Sequence, residues 1–216
     1  MRRFALLLLF TLLVGVSAMA QKDAGQIKTI SSTKPVFPAQ ASSHIYGDKI
    51  QVGVEVDKQG KVKRAVAGRP FIPCSNRNDK TIEEIRTAAT EAAKTTVFAP
   101  LVEKGEAIDF NVMLSYPLTE QKILVADEKK PASPPAKVLP KPYFTAEAKA
   151  NRIGGKVELR VLIDETGKVL SFLPISGHFA LIGGTIDSAC NARFEPTVNA
   201  GVPAKIIGKI TYTFVP

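Results

Sequence analysis

The clearest pattern in the chain is an alternation of apolar and polar positions between residues 156 and 163. The apolar positions of this stretch are Val157, Leu159, Val161 and Ile163. A period of two places them on one face of an extended chain and predicts a half-buried strand. Asp164 and Gly167 then suit a tight turn, and apolar residues return over residues 169–175. The pattern predicts a β-hairpin.

After the hairpin, the apolar spacing changes from that of a strand to that of a helix. Ile182 and Ile186 belong to an apolar face that recurs at helical intervals over residues 180–193, which predicts an amphipathic helix. A last strand rich in Ile, Thr and aromatic residues is predicted over residues 204–214, and a short helix over residues 146–152 precedes the hairpin. The predicted order is α-β-β-α-β.

The same order occurs earlier in the chain. Residues 47–62 resemble residues 154–169 at a constant offset of 107. Residues 98–100 resemble residues 194–196 at an offset of 96, because the first copy holds 11 extra residues near positions 68–78. Such self-similarity indicates a repeated unit. We expect an α+β fold of two tandem small α-β-β-α-β domains, each a three-stranded antiparallel sheet packed with helices.

A proline-rich stretch divides the two copies. Five prolines fall between residues 131 and 142, and proline lacks the backbone donor that a sheet interior requires. This composition predicts a semi-extended linker. The expected boundaries are a first domain over residues 35–117, a linker over residues 118–139 and a second domain over residues 140–216.

The N-terminus has the pattern of a secretory signal peptide over residues 1–20. Arg2 and Arg3 precede an apolar run over residues 4–16, and Ala18 and Ala20 occupy the small-residue positions of a cleavage site. We expect cleavage after Ala20 and export into an oxidising compartment. The alternative is an uncleaved anchor helix over residues 4–20, a mostly apolar stretch at the short limit for crossing a bilayer.

Composition narrows the classes of function. The chain has 45% hydrophobic and 23% charged residues, a balance typical of globular proteins. Its formal net charge of +9 is carried by scattered lysines without interleaved aromatic residues, which argues against nucleic-acid binding. Simple solubility or an anionic envelope surface explains the charge instead. Two histidines, His44 and His178, exclude a multi-histidine metal centre.

Few groups in the chain are arranged for catalysis. The segment Ser176-Gly177-His178 lacks the glycine spacing of a nucleophile elbow. The pair Gly183-Gly184 lacks the flanking residues of a phosphate-binding loop. We therefore expect a protein without enzymatic activity, cofactor, metal or small-molecule substrate.

The two cysteines, Cys74 and Cys190, leave more than one interpretation open. An oxidising compartment favours a disulfide between them, which requires the two domains to touch. Cys190 also falls on the apolar side of its predicted helix, where a free cysteine packs as a small hydrophobic residue. A zinc site shared with His44 and His178 is the least favoured alternative, because the local ligand spacing of such sites is missing.

A series of motifs follows in order along the second copy. The motifs are Pro142-Tyr143-Phe144, Gly155-Lys156-Val157, Ile163-Asp164-x-x-Gly167-Lys168-Val169, Ala192-Arg193-Phe194-Glu195-Pro196 and Ile210-Thr211-Tyr212-x-Phe214. This series resembles the TonB C-terminal domain, the periplasmic, receptor-contacting end of the energy transducers that serve outer-membrane transporters. The first copy resembles the same domain more faintly.

The resemblance implies that the domain lies in the periplasm and binds by β-strand addition. A segment of an envelope or outer-membrane transport protein is expected to pair with the open edge of the last strand. The inward residues of that strand are expected to be Ile206, Ile210, Tyr212 and Phe214. The expected contact residues lie on the opposite face and are Lys205, Ile207, Lys209, Thr211 and Thr213. The two lysines favour an acidic partner.

Two alternative functions stay open. In the first, the same strands pair with a second copy, and the protein is a self-associating structural module of the envelope. In the second, the N-terminal segment remains as an anchor in the inner membrane, and the protein is a true energy transducer. The transducers of the family keep such an anchor and a long spacer before one domain, whereas this chain has a signal-peptide pattern and two copies.

Overall fold

The computed structural model describes residues 27–118, 124–125 and 134–215. The predicted signal peptide and most of the predicted linker lie outside these residues. The strands are β1 (Thr29–Ser31), β2 (Lys49–Val56), β3 (Val62–Ala67), β4 (Ile72–Pro73), β5 (Val97–Phe98), β6 (Leu101–Glu103), β7 (Glu106–Ile108), β8 (Phe110–Pro117), β9 (Leu124–Val125), β10 (Ala136–Val138), β11 (Gly155–Ile163), β12 (Val169–Ser176), β13 (Arg193–Phe194), β14 (Val198–Asn199), β15 (Val202–Pro203) and β16 (Ile206–Phe214). The α-helices are α1 (Thr81–Lys94), α2 (Ala146–Ala150) and α3 (Phe179–Cys190), and a 3-10 helix spans Ala39–Ser43.

The second half of the chain builds its sheet around β11. This strand pairs antiparallel with β12 on one side and with β16 on the other, which confirms the predicted hairpin. The alternating residues Val157, Leu159 and Val161 are fully buried, because they form one core with apolar residues of α3. Burial of each such side chain contributes about 1.5–3 kcal/mol. The alternation in the sequence therefore determines which face of the sheet the helix covers.

The first half builds a sheet with the same strand order. Its central strand β2 pairs antiparallel with β3 and with β8. Ile50 lies opposite Tyr116 in the first half, and Val157 lies opposite Tyr212 in the second. These pairs are related by the same two sequence offsets, 107 and 96. The first half has its own core, in which α1 contributes Ile85.

The hairpin turns of the two halves share one hydrogen-bonding pattern. In the first half, Asp57 Oδ1 accepts from the N–H groups of Gln59 and Lys61 at 2.9 and 2.8 Å. In the second half, Asp164 Oδ1 accepts from the residues two and four positions later, both at 2.9 Å. An aspartate that binds the amides of its own turn favours the chain reversal before the strands pair.

Each half also opens with a short strand that pairs with the segment after its helix. β1 pairs with β5 in the first half, and β10 pairs with β13 in the second. β10 lies within residues 118–139, which the prolines led us to predict as a linker. Pro134 and Pro135 precede this strand and Pro140 follows it, so the prolines flank the pairing without interrupting it. Residues 136–138 of the predicted linker thus pair with the second half.

The helices differ slightly from their predicted bounds. The helix predicted over residues 180–193 ends at Cys190, because the side chain of Asn191 donates to the carbonyl oxygen of Asp187 and Arg193 already belongs to β13. The short helix predicted before the hairpin is α2. At the corresponding positions of the first half, the chain forms the 3-10 helix.

The extra residues of the first half connect the two halves. Within this insertion, β4 pairs antiparallel with β12, at Ser171 and Phe172 of the second sheet. The next residue, Cys74, forms a disulfide with Cys190 of α3. The two halves are therefore in contact. Of the alternatives considered for the two cysteines, the structure shows the disulfide.

Candidate functional site

The last strand, β16, lies beside the central strand of the second sheet. It pairs with β11 over all nine residues, from Ile206 opposite Ile163 to Phe214 opposite Gly155. The inward residues predicted for this strand are buried, with exposed fractions of 4–7%. Phe214 also contacts Phe144 edge to face, with ring centroids 5.0 Å apart. The strand is therefore held firmly on its inner face and on one edge.

The outer face of β16 is polar along most of its length. Lys209, Thr211 and Thr213 are exposed, and Lys205 is half-buried just before the strand. The predicted set of contact residues is corrected at Ile207, because its side chain is only 2% exposed. It packs under a side chain of the first half and is not available to a partner.

The first half covers Ile207 with Phe71. Phe71, Leu162 and Ile207 form a separate buried cluster on the outer face of the second sheet. The guanidinium of Arg160 lies 5.8 Å from the centre of the Phe71 ring, within cation–π range. Sequence reasoning missed Phe71, although the insertion that contains it was visible as the difference between the two offsets.

A small polar cluster centres on Glu158, next to β16. Its carboxylate accepts from Lys209 Nζ at 3.2 Å and lies 3.4 Å from the hydroxyl of Ser176. The hydrogen bond from Lys209 lowers the pKa of Glu158 below its usual value. Because Lys209 already pairs with this carboxylate, it offers less attraction to an acidic partner than a free lysine would.

The outer edge of β16 is partly covered. β9 pairs parallel with its first two residues, Ile206 and Ile207. From Ile210 to Phe214, no strand in the described part of the chain pairs with this edge. The backbone groups expected at an open edge therefore lie toward the C-terminal end of β16.

The groups considered for chemistry have structural roles. His178 precedes α3, and its Nδ1 accepts from the N–H of Ala180 at 3.2 Å, which caps the helix. The disulfide uses both thiols, so no cysteine thiolate is left for the zinc alternative. The described ranges contain no group of three or more His, Cys, Asp or Glu residues placed to bind a metal ion.

Part of the chain is similar to one known protein family. No curated protein matches the chain. Within the described residues, no helix is long and apolar enough to cross a membrane. Residues 140–216, which contain β11, β12, α3 and β16, match the family model described as the C-terminal domain of the Gram-negative bacterial TonB protein. The match covers little more than a third of the chain, and a TonB-like domain over these residues indicates a role in the cell envelope and in transport.

Proposed function

We propose that the protein is a non-enzymatic periplasmic binding protein that engages extended segments of envelope or outer-membrane transport proteins by β-strand addition. The observation that carries this proposal is the edge of β16 from Ile210 to Phe214, which lies within the matched residues and has no partner strand among the described residues. An added strand satisfies the N–H and C=O groups of such an edge.

The surroundings of this edge suit a peptide whose specificity comes from few side chains. Thr211 and Thr213 are exposed and uncharged, so they accept neighbouring side chains of many kinds. The main-chain hydrogen bonds supply the affinity, and contacts with the side chains beside the strand supply the selectivity. Lys205 gives a modest preference for acidic residues near the start of the strand, where β9 also limits the length of the added segment.

The first half is a diverged copy of the domain that the second half forms. The matching strand order, the shared pairing of Ile50 with Tyr116 and Val157 with Tyr212, and the shared turn hydrogen bonds support this. The divergence is strongest on the outward residues of the sheet. The first copy therefore need not bind the same partner as the second.

Site-specific photo-crosslinking in intact cells tests the proposal. A photo-crosslinking amino acid replaces Thr211 in the full-length protein, and Ser115, the corresponding exposed residue of β8, is the matched control position. We expect crosslinks from position 211 to outer-membrane transport proteins, and none to these proteins from position 115. If position 211 yields no envelope protein while the chain is folded and exported, the proposal is wrong.

A further inference from the structure

The insertion of the first half fills two adjacent places on the second sheet. Its strand β4 pairs with the edge of β12 at Ser171 and Phe172. The residue before β4, Phe71, packs on the outer face of the sheet with Leu162 and Ile207. One extended segment thus adds a strand and places an aromatic ring beside it. The second sheet therefore shows which kind of segment this fold accepts at this edge and on this face.

The matching places on the first sheet are open. β3 corresponds to β12, and no strand in the described part of the chain pairs with its outer edge. On the outer face, the first sheet has an open depression of about 410 Å³. Four of its lining residues occupy the positions that hold the surroundings of Phe71 in the second sheet. They are Gly53, Glu55, Val66 and Asn111. Their counterparts at the offsets of 107 and 96 are Arg160, Leu162, Leu173 and Ile207.

The floor of the depression is the bare backbone at Gly53. In the second sheet this position holds Arg160, whose guanidinium lies 5.8 Å from the centre of the Phe71 ring. A glycine inside a strand often marks a place where a ligand or another chain approaches closely. Val66 and Met113 lie opposite Gly53 on the two neighbouring strands and are 49% and 59% exposed. Apolar side chains on both sides of bare backbone suit a flat ring.

The charged residues of the depression also favour an aromatic ligand. Arg64 and Glu55 line it and form an ion pair at 3.2 Å. Because the pair has no net charge, a charged side chain gains little attraction there. The Arg64 guanidinium is available to stack on a ring, as that of Arg160 does on Phe71. An aromatic side chain is therefore favoured over an aliphatic one of similar size.

We propose that the first half binds an extended segment of a partner protein, which adds a strand to the free edge of β3 and places an aromatic side chain over Gly53. In the second sheet, the aromatic residue comes directly before the two residues that pair with β12. The same order is expected in the partner segment. This site lies in a different sheet from the edge of β16, so the first half recognises its segment independently of the second.

Selection from a phage-displayed library of random peptides tests the proposal, with the full exported chain as bait. We expect the peptides enriched on the wild type to carry Phe, Tyr or Trp, and Gly53→Arg to abolish their enrichment by filling the depression. Arginine fits the fold here, because a Cβ at Gly53 would lie 4.0 Å from its nearest neighbours and Arg160 holds the corresponding position. The matched control, Ser115→Arg, adds the same side chain to the exposed outer face of β8, outside the depression. It should select the same peptides as the wild type.

Fluorescence anisotropy with an enriched peptide gives the size of the effect. Gly53→Arg should weaken its binding by about tenfold or more, and so should replacement of its aromatic residue by alanine. Ser115→Arg should leave the affinity unchanged. The proposal is overturned if no aromatic peptide is enriched on the wild type over Gly53→Arg, or if both variants bind it equally. Neither result alters the crosslinks expected from Thr211, so the two proposals can fail separately.

Discussion

The two halves share a strand order and a register but present different outer faces. In the second half, Leu162 and Ile207 lie beneath Phe71 and are fully buried. At the corresponding positions of the first half stand Glu55 and Asn111, and the Glu55 carboxylate pairs with Arg64 at 3.2 Å in solvent. One backbone arrangement therefore supports either a docked or a solvated sheet face, and a few outward residues decide between them.

The edge strands of the two sheets also differ, because those of the second sheet are better covered than those of the first. In the second sheet, β4 pairs with β12 and β9 pairs with the start of β16, so each outer strand has some cover. In the first sheet, β3 and β8 have no further partner strand among the described residues. The outer face of the second sheet also contacts Phe71 of the first half.

The largest expected effect comes from separating the two halves at the disulfide. The Cys74–Cys190 bond closes a loop with a sequence separation of 116 residues, and loop-closure entropy assigns such a bond about 5 kcal/mol. We expect the double variant Cys74→Ala, Cys190→Ala to lose free energy of unfolding on this scale, as measured by urea denaturation. The two halves should then unfold in separate transitions, because each has its own core.

Reduction of the wild-type protein with dithiothreitol is the matched control, since it opens the same bond without a substitution. Its denaturation curve should agree with that of the double variant. A reduced protein that unfolds in one transition with an unchanged midpoint would show that the strand pairing and the Phe71 contact hold the halves together without the disulfide.

A somewhat smaller effect is expected from removal of Phe71. Its ring is 3% exposed and covers Leu162 and Ile207. Phe71→Ala should cost about 3–4 kcal/mol and raise the binding of an apolar fluorescent dye at the uncovered face. Phe179→Ala is the control, because Phe179 is 69% exposed, and it should change stability by about 0.5 kcal/mol or less. Equal losses for the two variants would contradict the docking role of Phe71.

The turn glycines provide a direct test of the equivalence between the halves. A Cβ at Gly60 would lie 1.9 Å from the carbonyl oxygen of Phe98, and one at Gly167 would lie 2.0 Å from that of Phe194. Both glycines have positive φ, at 83° and 87°. Gly60→Ala and Gly167→Ala should each cost about 3 kcal/mol in free energy of unfolding, measured by urea denaturation.

The control positions for these substitutions are Gly105 and Gly201, which also have positive φ, at 86° and 84°. A Cβ at either would meet no atom within 4 Å, so only the backbone strain of about 1 kcal/mol remains. If Gly60→Ala and Gly167→Ala differ from each other as much as they differ from the controls, the two turns do not have equivalent roles.

Sequence periodicity predicts each sheet well because it reports the side that faces a covering helix. The alternation around Val157 and the Asp164 turn are local signals, and both appear in the structure as predicted. The burial of Ile207 has no local signal, because its cover comes from Phe71 in the other half. The disulfide was undecided for the same reason, since it depends on how the two halves dock. The prolines around β10 predict a linker, although this segment forms a strand that pairs with β13.

The smallest effect is expected at the paired tyrosines of the two last strands. The hydroxyls of Tyr116 and Tyr212 are buried and have no hydrogen-bond partner among the described residues. Removal of either hydroxyl should therefore leave the free energy of unfolding at pH 8 unchanged or raise it by less than about 1 kcal/mol. Tyr116→Phe gives the background effect of losing a hydroxyl at the corresponding position.

Alkaline pH distinguishes Tyr212 from this background. Burial raises the pKa of Tyr212 to about 12, whereas an unfolded tyrosine titrates near about 10. The folded state holds the phenolic proton more tightly, so this contribution to stability is complete below about pH 10 and is lost as the pH rises toward about 12. In urea denaturation at pH 11, Tyr212→Phe should be more stable than the wild type by up to about 1 kcal/mol. An advantage that is the same at pH 8 and pH 11 would show that Tyr212 titrates normally, and that this end of the second core is open to water.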